Sequence, residues 1–465
     1  MKNIIKSFLL VLAACGGASK GATIGTGKNP APPPDIAGSK PDIAEPGKGS
    51  VETVKVSADA KKDYTAAVAN FQNNEKGGWN EGACKSSADK FSAVVREHSD
   101  MTAAQFMVGL SYQRCGMNAE AEAAYLQCTK MKGDARMQAM ALSNLGQLYY
   151  RAGKTDAAKQ YWDSAIKANG KLVAARINQA SMYLEQMRKI NNVKDGQWKK
   201  LEEDARFDLS NALGVEPESV EAYTVFGLVY MEGWQQNKNR LDLAKTLMDE
   251  ANKRNPKYPP LLNAYGLYWM HKGSINQALQ AFEGAVAGDP KFFEARINAG
   301  LLTLGARKYD VAKEHFSKAL EVAPKNYDAM IGLGIAQRGL GDLDGAEKSY
   351  KQAMQLDGAR GDAYFNLGVL YKDFKATKAE MKASIPIYQQ AKDYFQQFLN
   401  KSGAADDKNE AKDNIKDCDK VVKSIETFLR NQANNPPPPA APAPTQAPAK
   451  APDAKAPAPP PAGKK

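Results

Sequence analysis

The chain has 465 residues, 43% of them hydrophobic but only 8% aromatic, with alanine carrying much of the apolar share, a composition suited to close-packed helix pairs and not to thick sheet cores. Lys and Arg number 63 against 52 Asp and Glu, a net charge of +11, and because basic segments alternate with acidic ones no nucleic-acid partner is expected. The only histidines, His98, His271 and His315, lie far apart, and the chain has no GxxxxGK[ST] loop, CxxC or HExxH, so catalysis, a metal site and a cofactor are not expected.

Residues 1–14 begin with Lys2 and Lys6 and continue as a short apolar run ending in Ala13 and Ala14, the pattern of an export signal. Leu12-Ala13-Ala14-Cys15 resembles the bacterial lipobox. That resemblance implies cleavage before Cys15 and acylation of its thiol and new amine; an ordinary cleaved signal with a free thiol is the alternative. Three acyl chains are more than a stable membrane anchor requires. By the sorting rule of lipobox proteins, Gly16 and Gly17 after the cysteine imply the outer membrane, with the body facing the periplasm. Residues 15–56 hold six prolines and many glycines and read as a disordered linker. Such a linker averages about 35 Å as coil and reaches about 120 Å when extended.

In an oxidising periplasm Cys84, Cys115, Cys128 and Cys418 allow three full pairings. Cys84–Cys115 is favoured, with Cys84 opening one helix and Cys115 closing the next antiparallel one, which brings their Cα atoms into bridging range.

A repeat occupies the middle of the chain. Gly266, Gly300, Gly334 and Gly368 are spaced by 34 residues, followed in register by Ala278, Ala312 and Ala346, by Phe282, Phe316 and Tyr350, and by Ala285, Ala319 and Ala353. Pro217, Pro256, Pro290 and Pro324 fall at one position of the cycle, where a proline ends a helix without breaking a unit. The pattern predicts two antiparallel helices per unit, small residues where they cross and an aromatic ring in the groove, with stacked units sharing one continuous core.

Leu145-Gly146-Gln147-Leu148-Tyr149 with Gly153, Ala158, Trp162 and Ala165, and Tyr265-Gly266 with Trp269, Gly273, Ala278, Phe282 and Ala285, resemble the tetratricopeptide repeat (TPR). The resemblance covers residues 57–403. It implies an all-α, right-handed superhelical solenoid of nine helix-turn-helix units, starting near residues 57, 102, 139, 173, 220, 259, 293, 327 and 361. Insertions are expected around Lys189–Gln197, Gln235–Asn239 and Asp373–Ile385. Cys128 falls where alanine normally packs, which makes it a core residue. Residues 404–434 read as a capping helix with Ile415, Val421, Val422, Ile425 and Phe428 on its apolar side, and residues 435–465, with twelve prolines and four lysines, as a disordered Pro/Ala/Lys tail.

The resemblance also implies that first helices line a concave surface for extended peptides. Asn144, Asn178, Asn298 and Asn366 precede the Leu-Gly position in four units and are candidate peptide-binding residues, since an amide both donates and accepts; the alternative is solvated polar residues held by local packing. Gln147, Tyr150, Arg151, Met270, His271, Leu301 and Leu304 are expected as exposed neighbours. The tail reads either as a peptidoglycan or anionic-lipid contact or as a soluble spacer.

Lipobox, linker, early Trp79 with a cysteine pair, repeats and tail together are similar to the TPR lipoproteins of the adventurous gliding-motility machinery of myxobacteria. That similarity implies a non-catalytic outer-membrane scaffold binding protein partners of a motility complex. A pilotin-like assembly factor for an outer-membrane secretin is the alternative, and an adaptor for a cell-wall enzyme a third.

Overall fold

Glycine opposite an aromatic ring sets the helix spacing. A Cβ added at Gly109, Gly146, Gly266 or Gly334 would lie 2.5, 2.5, 2.3 or 2.4 Å from the rings of Tyr125, Trp162, Phe282 and Tyr350 respectively, so no larger residue permits this approach. Those four rings are 0–1% exposed, and burying each contributes on the order of 1.5–3 kcal/mol.

In this computed structural model, residues 57–190, 192–401 and 405–434 are described; the expected export signal, Cys15, the expected linker and the expected Pro/Ala/Lys tail lie outside them. Among the described residues there are nineteen α-helices and no strand. They form nine antiparallel pairs: α1 (Ala58–Gly77) with α2 (Glu81–Glu97), α3 (Thr102–Arg114) with α4 (Asn118–Lys130), α5 (Ala135–Arg151) with α6 (Thr155–Ala168), and α7 (Val173–Lys189) with α8 (Gly196–Val215). Then come α9 (Val220–Met231) with α10 (Asn239–Arg254), α11 (Pro259–His271) with α12 (Ile275–Gly288), α13 (Phe293–Gly305) with α14 (Tyr309–Val322), α15 (Tyr327–Gly339) with α16 (Leu343–Leu356), and α17 (Asp362–Val369) with α18 (Met381–Leu399). The single helix α19 (Ala405–Asn434) covers the end of the stack. None of these helices is long and apolar enough to cross a membrane.

In five of the pairs the first helix turns into the second through a left-handed residue seven positions after the ring-facing glycine. Gly116, Gly153, Gly273 and Gly341 fill it with φ of 69°, 75°, 76° and 82°, whereas the seventh pair uses Arg307 at φ 58°. A side chain at positive φ costs about 1 kcal/mol where glycine costs little. Arg307→Gly is therefore expected to stabilise the seventh pair by about 0.5–1 kcal/mol, measured as a raised urea midpoint with far-UV dichroism unchanged.

The insertions are built into the stack. Arg240, at the start of α10, donates to Glu202 Oε1 at 2.6 Å and to the carbonyl oxygens of Tyr230 at 3.1 Å and Glu232 at 2.6 Å. Its guanidinium also lies over the Trp198 and Tyr230 rings, tying the extra residues of the fifth pair to α8 of the fourth. In the ninth pair α17 runs into a π-helical turn, Leu370–Lys375, and a 3-10 turn, Ala376–Lys378. The extra residues thus widen the helix end instead of looping out. On α19, Ala411 and Cys418 are buried and Ile415 packs on the core, while Phe428 is 52% exposed; it departs from the expected apolar stripe because it lies off the line through Ala411, Ile415 and Cys418 that meets α18.

Candidate protein-binding surface

Because each ring-to-glycine contact sets the rotation of its first helix, the residue two positions before that glycine recurs at one place in successive pairs. Asn144 is half-buried, and its Nδ2 donates to Tyr125 Oη at 2.9 Å. That hydroxyl donates to Gln113 Oε1 at 2.5 Å, and Gln113 Nε2 donates to Gln147 Oε1 at 3.2 Å, a polar chain that joins the second and third pairs. Asn298, buried, donates to Asn263 Oδ1 at 2.9 Å. Asn366, also buried, donates to the Asp362 carbonyl at 2.9 Å and accepts from Arg338 Nη1 at 3.4 Å. Asn178 is half-buried and has no side-chain hydrogen bond among the described residues. Three of the four amides therefore donate within the solenoid, and Asn178 offers both its donor and its acceptor.

Leu301 and Leu304 were expected on the surface, but they are 6% and 1% exposed and share a core with Ile331 and Ile335 of the next first helix. Neighbouring first helices approach closely enough here to cover the apolar positions between them. Gln147 is also buried. His271 lies 4.9 Å from the Trp234 ring, and burial lowers its pKa. Tyr150 Oη donates to Glu185 in the following pair.

Cys84 and Cys115 are disulfide-bonded with Cα atoms 6.3 Å apart, linking α2 to the end of α3. Cys115 lines a cleft of about 560 Å³ with Trp79, Asn80, Arg114 and Met117. Cys128 and Cys418 are free and buried, and burial pushes their thiols up to about 12 and about 11, which keeps them protonated packing groups near neutral pH. Asp63, Glu97 and His98 bring three potential ligand atoms within 4.8 Å of one another. The sequence conceals this grouping because α1 and α2 place residues more than 30 positions apart side by side.

Several acids are held out of water. Glu221, in the first turn of α9, has no ion pair among the described residues; burial pushes it up to about 8, with Glu216 adding repulsion. Burial likewise raises Glu294 to about 7, and it raises Asp208 to about 6 against the opposing pull of Arg176. A carboxyl whose pKa is raised on folding favours the folded state while protonated. That contribution is full below the unfolded value of 4.5 for Glu221 and is lost as pH rises through about 8. Thermal melts from pH 5 to 9 are expected to show a Tm falling by a few degrees, and Glu221→Gln is expected to flatten the slope.

One tetratricopeptide-repeat family model matches residues 143–189 and 297–362, and a second TPR model matches residues 102–134. The sequence matches no curated protein. Among solved structures, a thermophilic TPR protein of Thermus thermophilus is 24% identical, covering 43% of this chain and 99% of that one, with a TM-score of 0.37. Pseudomonas aeruginosa PilF is 19% identical over 50% and 97% of the two chains, with a TM-score of 0.38. The Cut9–Hcn1 hetero-tetramer of the APC/C is 14% identical over 82% and 88%, with a TM-score of 0.32. Residues 102–134, 143–189 and 297–362 thus carry tetratricopeptide repeats, and the described helices form a TPR solenoid.

Proposed function

We propose that this chain is a non-catalytic scaffold, held at the periplasmic side of the outer membrane by acylated Cys15, that gathers protein partners of an envelope machine, specifically a gliding-motility complex. The observation that carries the scaffold reading is the continuous stack of nine helix pairs, whose first helices carry an asparagine at one register in the third, fourth, seventh and ninth pairs. A surface of this kind engages an extended segment at several points, and tethering raises the effective concentration of whatever it binds. The lipid confines the protein, the linker sets its reach, and Asn178 presents a free amide for a partner backbone.

In-cell crosslinking with mass spectrometry tests the reading on the lipidated protein. Wild type is expected to recover envelope proteins, and the variant with Asn144, Asn178, Asn298 and Asn366 changed to Ala to lose most of them. An unchanged partner list removes the asparagine row from the binding surface. Deletion is expected to abolish surface gliding with secretin multimers intact; monomeric secretin and lost pili would instead favour the assembly-factor reading.

A further inference from the structure

In the first helix pair the fold gathers three ligand side chains that no spacing in the sequence announces. Asp63, in the second turn of α1, meets the end of α2, where Glu97 is the last helical residue and His98 the C-cap. One ligand atom from each of the three lies within 4.8 Å of the others. The backbone beneath them is fixed on both sides. Tyr64, next to Asp63, is buried with its ring 5.8 Å from that of Phe91 in α2. His98 donates its backbone N–H to the Val94 carbonyl at 2.8 Å, and its own carbonyl accepts the Met101 N–H at 3.0 Å, which pins the turn from α2 into α3.

The charges at this point do not balance. His98 Nε2 lies 3.4 Å from Asp63 Oδ2, longer than the roughly 2.7–2.9 Å of a charge-assisted hydrogen bond. Asp63 has no other ion pair among the described residues, and Glu97 has none. Two carboxylates therefore converge on one imidazole, beside a helix C-terminus whose free carbonyls add negative potential.

We propose that Asp63, Glu97 and His98 bind a zinc-class divalent ion that joins α1 to the turn between α2 and α3. Zinc lies about 2.0–2.2 Å from histidine nitrogen and carboxylate oxygen, which sets neighbouring ligand atoms of a tetrahedral site about 3.4 Å apart. The His98–Asp63 separation has that value. Glu97, exposed at the helix end, reaches the same span by a change of side-chain rotamer, and water completes the fourth position. The imidazole selects against hard ions, since calcium collects many oxygen ligands and magnesium keeps its waters. Cys84 lies near the other end of α2, so ion and disulfide hold that helix at its two ends. The site stands independently of the scaffold reading.

The test is calorimetric titration of the full chain, disulfide intact and cleared of metal by chelator, with Zn2+ alone. The expected result is saturable binding of one ion, weakened at least about tenfold in His98→Ala and in Glu97→Gln, with Ca2+ and Mg2+ at least about tenfold weaker than Zn2+. Glu97 is exposed, so its variant should keep the wild-type dichroism even where His98→Ala does not. Because the chain has three histidines, imidazole proton resonances locate the ion. Zn2+ is expected to shift the His98 signal, the one missing in His98→Ala, and to leave those of His271 and His315 in place. Exchange of the α1 amides is expected to slow with Zn2+ in wild type and not in Glu97→Gln. Absence of saturable Zn2+ binding, undiminished binding in Glu97→Gln, a shift confined to His271 or His315, or Ca2+ binding as tight as Zn2+ overturns the proposal.

Discussion

Removing the Cys84–Cys115 bond, by dithiothreitol or by Cys115→Ser, is expected to destabilise the first two helix pairs by about 3–4 kcal/mol, the chain-entropy value for a crosslink spanning 31 residues. The effect is large because of where the bond lies. Among the described residues the first pair is terminal, so α1 and α2 are supported by a described neighbour on one side, and in a quasi-one-dimensional stack an end unit has the least to hold it. Phe71, Phe91 and Trp79 pack together there, in a core that the first pair shares with the next two only through its inner face. Hydrogen exchange with and without reductant is the measurement. Amides of α1 and α2 should lose protection by two or more orders of magnitude while those of α13 to α16 hold; unchanged exchange in α1 would show that packing, and not the crosslink, secures the end.

Trp162→Ala is expected to cost about 3–5 kcal/mol, within the range for deleting a fully buried ring. Trp162 is 1% exposed, and its Nε1 donates to the Ser143 carbonyl at 3.0 Å. The indole also fills the space above Gly146, whose added Cβ would lie 2.5 Å from it. Truncation therefore leaves a cavity between α5 and α6 and removes the indole hydrogen bond to the Ser143 carbonyl. Trp162→Phe keeps most of the packing and should recover more than half of the loss. Since a repeat array need not unfold in one step, exchange of the α5 and α6 amides is the readout, alongside a lowered urea midpoint. A loss below about 1 kcal/mol would mean that neighbouring pairs collapse into the space.

The repeats were legible because their determinants are local and periodic. Gly146 with Trp162, Gly266 with Phe282 and Gly334 with Tyr350 each lie 16 residues apart, within one helix pair, so each contact is encoded in a short window and repeated. The same register shows where Cys128 replaces alanine, and it is buried. Between pairs, the pattern says less. That Asn144 donates to Tyr125, Asn298 donates to Asn263, and Asn366 accepts from Arg338 depends on how far one pair rotates against the next. Leu301 and Leu304 entered the core for the same reason, and Arg240, next to an insertion that the sequence marks only as a departure from the period, binds across to Glu202 and Trp198 of the preceding pair.

By itself, then, the sequence determined that this chain forms helix pairs, how many stack, and which small residues and rings lie between the two helices of each pair, because steric fit within a pair leaves no other arrangement. Only the tertiary structure decided which polar groups are used up and which remain open. Hydrogen bonds and ion pairs between pairs, such as Arg360 between Asp328 and Asp362 while Glu294 has no ion pair among the described residues, depend on ångström-scale placement across the stack. The hydrophobic effect, which drives the repeat pattern, has no direction and does not specify that placement.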